Sequence, residues 1–456
     1  MNRRPLVSGV IEGFYGHPWS PEQRERLLAW MNEAGLNTYL YAPKDDLKHR
    51  ALWRDPYSED ELKSLGALAR SCRTRDVTFV YAIAPGLDIR YREELPLLKA
   101  KLAQILALGV TTIAILFDDI PKTLSPEDEA RFGSFARAQI HVTHEIQAWL
   151  RGLNPEAGLW FCPTIYCGRF AEHRVPENAY LLEIGAGLAP DIEMLWTGPE
   201  IIPEIISVES IQEVARVLRR PPLIWDNLHA NDYDLRRIFL GPFAGRPIEL
   251  HGVVRGVLSN PNCEFEANYI PLHTLGAYVN ASGSWDVEAA LDESCRRWLP
   301  SFRCQTRREF TFEDLRLLVD LYYLPFSAGP RLEQLIADFD HLIHHPVSEW
   351  GDTWVRFERT ADAIAALFAK VTELEDRELC FTFYRLMWEI QAELKLMRGY
   401  LALLREPGSP ERHYTPKVHH DPRIYRGGVV ARLQRLMPMD GPGEFRAARS
   451  VPQTGN

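Results

Sequence analysis

A (β/α)8 barrel followed by an all-α helical bundle is the fold this 456-residue sequence predicts, and three observations predict it. Eight short apolar runs recur through the first part of the chain. Helical stretches fall between most of them. Beyond them the strong apolar patterns are spaced by three and four. Eight β–α units in about 280 residues match such a barrel in size and order. A doubly wound sheet is the second reading, but no Gly-rich dinucleotide loop follows the first run. The expected division is 1–283 for the barrel and 284–456 for the bundle.

The strands are expected at Leu6–Phe14, Thr38–Ala42, Thr78–Ala84, Thr111–Phe117, Leu159–Thr164, Ile192–Trp196, Leu223–Trp225 and Val253–Leu258. Continuous aliphatic runs of this length read as strands buried on both faces. Helices are expected at Pro21–Ala34, Glu59–Arg75, Glu93–Leu108, Pro126–Leu150 and Val208–Arg219. Ser20 and Ser125 stand as N-caps before Pro21 and Pro126, where proline suits a first turn. Gly35 and Gly109 stand where helices end.

The second half shows no strand pattern. Leu315, Leu318, Val319 and Tyr322 fall at helical spacing. Trp354, Phe357, Ala361, Ile364, Phe368 and Val371 form one seam, and Phe383, Met387, Ile390, Leu394, Met397 and Leu401 another. Two long helices with such seams imply an antiparallel bundle. Phe381, Tyr384 and Trp388 are extra aromatics, which belong to a core more often than to a site and can also cover a partner subunit. Glu406–Gly428 reads as a loop, Val429–Met437 as a last helix stopped by Pro438, and the tail after Asp440 as frayed.

Composition narrows the function. A net charge of −10 argues against nucleic acid as the main partner. Seven scattered cysteines suit a reducing compartment, and the Cys162–Cys167 spacing is not that of a zinc site. Glu12 cuts the first apolar run too short for a signal-peptide core, and no run is long enough to cross a membrane. The chain as given therefore reads as cytoplasmic, and the Asn280-Ala-Ser sequon carries little weight.

Active residues of such a barrel sit at the C-terminal ends of its strands. Asp118 and Asp119 end the fourth run. Successive strand residues point to opposite faces, so both carboxylates reach one cavity only if the strand stops there and the chain turns. Adjacent carboxyls resist ionising together, and an acid beside a base is what glycosidic bond cleavage requires. On the motif alone, a carboxylate pair at a solvated strand end remains the plainer reading. The other mouths supply Glu12-Gly-Phe-Tyr-Gly16, Lys44, Tyr166, Trp196, the stretch Trp225–Asp234 and Asn260. Seven of the eight mouths thus carry a polar or aromatic group able to hold a polyhydroxylated ring. Asp226, His229, Asp232 and Asp234 are conceivable metal ligands, but no HxH or HExxH spacing supports a metal, and neither metal nor cofactor is expected. Lone histidines such as His17, His49 and His251 read as structural or surface groups.

Several motifs in order carry a resemblance. They are Val10-Ile-Glu-Gly-Phe-Tyr-Gly-His-Pro-Trp19, Asn37-Thr-Tyr-Leu-Tyr-Ala-Pro-Lys-Asp-Asp46, Leu116-Phe-Asp-Asp119, Trp225-Asp-Asn227, His229-Ala-Asn-Asp-Tyr-Asp234 and Asn260-Pro-Asn-Cys-Glu-Phe-Glu-Ala-Asn268. With them the chain resembles glycoside hydrolase family 84, whose members are β-N-acetylglucosaminidases. The resemblance continues into the helical half at Phe310–Pro330 and from Tyr425 to Asp440. It implies a retaining exo-glycosidase for terminal β-linked N-acetylglucosamine, including that on Ser and Thr of proteins. The route it implies is substrate-assisted: the acetamido oxygen attacks C1 and gives an oxazoline. Asp118 then matches the residue that orients the acetamido N–H, and Asp119 the general acid and base, which burial should keep protonated near neutral pH. Gly13, Lys44, Asn227, Asp232 and Asn260 match groups on the sugar hydroxyls, Tyr166 a tyrosine near the acetamido group, and Trp225 a pocket wall.

Departures from the animal members accompany the resemblance. A short connection, Ala281–Cys304, stands in place of a long insert, and an acetyltransferase-like domain after the bundle is not expected. Ile165 is apolar where the animal enzymes have an acidic residue, so peptide contacts should differ. Animal members dimerise through the helical domain, and a homodimer is expected on the same ground. Two other functions stay open: a hexosaminidase for free glycans such as chitobiose or peptidoglycan fragments, and a sugar-binding protein on a barrel that has lost its chemistry.

Overall fold

The computed structural model describes residues 5–406, 414–415, 427–440 and 444–446. Eight parallel strands close a barrel: β1 (Val7–Glu12), β2 (Thr38–Tyr41), β3 (Thr78–Ile83), β4 (Thr112–Leu116), β5 (Gly158–Cys162), β6 (Glu193–Trp196), β7 (Leu223–Asp226) and β8 (Gly256–Ser259). Pairing of Val7–Val10 with Gly256–Ser259 closes the ring.

Alternation along each strand fills the two faces differently. Ile11, Leu40, Val80, Ala82, Ala114, Leu116, Trp160, Leu195, Leu223, Trp225 and Leu258 share one buried cluster inside the ring. The odd residues of β4 belong to the other face: Phe117, just past its end, meets Tyr91 at 6.0 Å and Phe161 at 5.8 Å.

Helices alternate with the strands: α1 (Pro21–Glu33), α2 (Glu59–Arg73), α3 (Leu95–Leu106), α4 (Pro126–Phe132), α5 (Phe135–Leu153), α6 (Ala179–Gly187), α7 (Val208–Leu218) and α8 (Tyr269–Asn280). Ser20 and Gln23 form a reciprocal capping box at α1. Gly35 and Gly109 follow α1 and α3 at φ +69° and +84°.

The single helix expected at Pro126–Leu150 is two. Gly133 at φ +68° ends α4, and the Ser134 hydroxyl accepts from Arg137 N at 3.1 Å to start α5. Helices α6 and α8 have no counterpart among the expected helices. The latter is buried nearly all round, so no polar face marks its period.

The chain divides into two compact units, one running to Tyr233 with Pro242–Ala290, the other Asp234–Gly241 with Leu291 onward. This differs from the expected 283/284 boundary in two ways. The helix α9 (Val287–Trp298) straddles the division. The short segment before Pro242 joins the second unit, because Leu240 N and Gly241 N donate to Tyr322 O and Tyr323 O at 2.6 and 2.7 Å.

The second unit is helical: α10 (Phe312–Leu321), α11 (Pro330–His344), α12 (Gly351–Thr372), α13 (Arg377–Arg405) and α14 (Gly428–Leu436). The pairs Phe368–Tyr384, at 5.7 Å, and Asp362–Arg398, at 2.6 Å, run in opposite sense and make α12 and α13 antiparallel. All six seam residues of α13 are buried; on α12, Trp354 and Phe368 are only half-buried. Phe381, Tyr384 and Trp388 are not core residues, being 63 %, 43 % and 48 % exposed. Met439–Asp440 (β9) pairs antiparallel with Glu444–Phe445 (β10), a strand pair too short to show an alternating pattern. Most of the expected loop at Glu406–Gly428 and of the expected frayed tail lies outside the described residues.

Candidate active site

Inward register carries directly into the barrel mouth. Gly13 follows Ile11, Lys44 follows Leu40 and Ala42, Asp118 follows Ala114 and Leu116, Asn227 follows Leu223 and Trp225, and Asn260 follows Leu258. Each lies an even number of residues beyond an inward side chain, so each inherits its direction. All nine residues named from the sequence line one cavity of about 590 Å³: Gly13, Lys44, Asp118, Asp119, Tyr166, Trp225, Asn227, Asp232 and Asn260.

Asp119 has the opposite parity and reaches the same cavity by a turn. Its backbone takes φ +48°, the left-handed region that side-chain-bearing residues rarely adopt. The turn separates the two carboxyls into different surroundings. Asp118 is buried, with Lys44 Nζ at 3.2 Å and Arg50 Nη1 at 3.9 Å from its Oδ2. Burial alone would raise the Asp118 carboxyl, but these two cations outweigh it and hold it below its ordinary value. Its Oδ1 is buried without a hydrogen-bond partner, an acceptor aimed at no protein group.

Asp119 is exposed, contrary to the burial expected from the sequence. Tyr166 Oη donates to its Oδ1 at 2.8 Å and Tyr15 Oη to its Oδ2 at 3.4 Å. Burial first, and then the Asp119 charge, push the Tyr166 phenol well above its usual value; burial likewise lifts Tyr15 to about 12, against the lowering effect of the Arg50 cation and with the Asp119 charge adding to the rise. Both phenols therefore act as donors at working pH. The resemblance put Tyr166 near an acetamido group; its hydroxyl here is bonded to Asp119.

The far wall is built on amides. Asn227 Oδ1 accepts from Trp225 Nε1 and Asn260 Nδ2, both at 3.0 Å, and Asn227 Nδ2 donates to Ile201 O at 2.8 Å. Asn260 Oδ1 is left buried and unpartnered. Asp232 accepts from Tyr15 N at 2.8 Å, tying the β1 loop to the β7 loop. The weaker metal reading loses one ligand outright: Asp226 accepts from Arg246 Nε and Nη2 at 2.7 and 2.8 Å, both residues fully buried. Among the described residues no cluster of three metal-ligating side chains occurs.

Two contributors were not singled out from the sequence. Tyr15 stands inside the Glu12-Gly-Phe-Tyr-Gly16 stretch at the first mouth. Arg50 comes from a short turn after β2, at Leu47–His49, capped by Asp46, which accepts from Lys48 N and His49 N at 3.0 and 3.2 Å. Arg50 Nη2 donates to Asp119 O at 2.8 Å. Next to it, His49 is fully buried and pushed down to about 3, by burial first and then by Lys44, so it is neutral. Together these groups form a cavity with one anchored anion, one carboxyl at the mouth, hydrogen-bonding amides and an indole wall, a set suited to a sugar ring.

A family model described as β-N-acetylglucosaminidase matches residues 8–311. The chain is 49 % identical over 327 residues to the protein O-GlcNAcases of Mus musculus and Rattus norvegicus; the match takes in 71 % of this chain and 35 % of each relative. It thus spans about a third of the length of those curated relatives. A solved structure of a mutant Thermobaculum terrenum O-GlcNAc hydrolase superposes with a TM-score of 0.74 at 27 % identity, covering 87 % of this chain and 82 % of that one.

Proposed function

The chain belongs to the β-N-acetylglucosaminidase family, and from that premise we propose that it is a retaining exo-β-N-acetylglucosaminidase that acts through an oxazoline. The observation that carries the reading is the split environment of Asp118 and Asp119. Asp118, held anionic by Lys44 and Arg50, keeps Oδ1 free to accept the acetamido N–H. That bond turns the acetamido oxygen toward C1 and stabilises the positive charge that develops as the ring closes. Asp119 gives its proton to the departing oxygen, then takes one from the water that opens the oxazoline, so C1 keeps its configuration. A sugar seated over Asp119 supplies the exclusion of water that the protein alone does not. Trp225 offers the ring a flat wall; Asn227, Asp232, Asn260, Lys44 and the Gly13 backbone hold its hydroxyls.

Substrates in this reading include proteins carrying N-acetylglucosamine on Ser or Thr, supported by the identity to the mouse and rat enzymes. A cytoplasmic site of action and a homodimer through the helical unit belong to the same proposal. Support for the first comes from seven cysteines that are all free thiols, and for the second from the exposed aromatics of α13.

The test is hydrolysis of an aryl N-acetyl-β-glucosaminide by wild type and Asp118→Asn, with a thiazoline analogue of the oxazoline as inhibitor. Wild type should turn over and be blocked. Asp118→Asn should lose about 100-fold or more in kcat, as removal of an oriented charge-stabilising group does. Saturable thiazoline binding without turnover by wild type would make the protein a sugar binder instead.

A further inference from the structure

Arg50 touches both aspartates: beside its charge next to Asp118, it also grips the turn that sets Asp119. It is 8 % exposed. Through Nη2 it donates to the backbone oxygen of Asp119 at 2.8 Å, and its Nη1 lies 3.9 Å from Asp118 Oδ2. Nη1 is itself buried and makes no hydrogen bond, so its main interaction is with the Asp118 charge. Asp119 meanwhile sits in a left-handed conformation that persists only where its surroundings over-determine it. The peptide oxygen that Arg50 grips belongs to that strained residue.

We propose that Arg50 is the positioning residue of the aspartate pair: one guanidinium fixes the Asp119 turn and, with Lys44, supplies the field that keeps Asp118 charged. The inference rests on the glycosidase reading and deepens it. A planar fork can serve two acceptors at once; a lysine ammonium can supply the charge but not the same two-point grip.

The other titratable groups facing Asp118 leave that role to the two cations. Tyr15, Tyr166 and Cys162 are raised, by burial first, and stay neutral. His49 is neutral because burial pushes it down to about 3. Asp119 is the remaining carboxyl, and it is turned to the mouth.

The experiment is kcat/KM against pH for wild type, Arg50→Gln and Arg50→Lys, on an aryl and an alkyl N-acetyl-β-glucosaminide. Removing a cation lifts the Asp118 carboxyl, so the acid limb of Arg50→Gln should move up by roughly one pH unit or more. Arg50→Lys keeps the charge and should hold that limb near wild type. Both variants loosen Asp119, the proton donor, so both should lose about tenfold more on the alkyl glycoside, which needs the proton, than on the aryl one. Equal loss on both substrates with an unmoved acid limb is what a merely structural arginine gives, and it overturns the inference. If Arg50→Gln does not fold, Arg50→Lys decides alone: selective loss on the alkyl substrate supports the role, uniform loss removes it. A wild type that hydrolyses neither glycoside overturns the parent reading, a result seen before any variant is compared.

Discussion

The hydroxyl of Tyr166 isolates one hydrogen bond at the proposed acid and base. Tyr166→Phe removes the 2.8 Å donor to Asp119 and leaves the ring, with its edge-on contact to Phe170 at 4.9 Å, in place. An intramolecular hydrogen bond contributes about 0.5–1.5 kcal/mol net. We expect kcat to fall by up to about tenfold with KM little changed, read by steady-state kinetics on an alkyl glycoside; unchanged kcat would detach Tyr166 from the proton transfer. At this scale the sequence was readable where a chemical group ends a strand. Lys44, Asp118, Asn227 and Asn260 follow from counting by twos. Arg50 was not readable, because arginine is usually a surface residue and nothing local marks one that is buried. The exposure of Asp119 was missed for a related reason: its apolar neighbours suggest burial, while a backbone turn decides where its side chain goes.

At the scale of the strand, the site is the barrel interior continued by one or two residues at each mouth. That makes close backbone approach as important as side-chain chemistry. A Cβ on Gly13 would lie 2.8 Å from Trp225 Cζ2 and 2.9 Å from Ile11 Cγ2, closer than real Cβ contacts allow. Gly13→Ala should therefore push the indole wall. The expected cost is about 1 kcal/mol or more of stability, with kcat/KM down about tenfold through misplacement of the ring. A thermal melt beside the kinetics checks both, and full activity would mean that Trp225 moves aside without consequence. The strands were legible as apolar runs and the barrel as their number and order. Helix breaks were less so: Gly133-Ser134 is a stop followed by a cap, yet it lies inside a stretch whose apolar period continues across it.

On the scale of the whole molecule, the helical unit has two kinds of aromatic. Phe383 and Met387 face inward and are fully buried, whereas Phe381 and Trp388 lie largely exposed on α13, and Tyr384, between them at spacings of three and four, is 43 % exposed at the edge where it still meets Phe368 of α12. Sequence alone could not divide these sets, since both follow helical periods and only packing tells which stripe meets α12. Large aromatics in an exposed row favour association, and a twofold dimer lets the same face meet its copy. The net charge of −10 opposes loose aggregation, so a specific closed pair is the expected product. Sedimentation of wild type should give a dimer. Phe381→Glu with Trp388→Glu should give a monomer of unchanged melting temperature, because outward residues contribute little to the fold of their own chain. A wild-type monomer would end the dimer proposal, and a dimer that survives both charges would move the interface to another face.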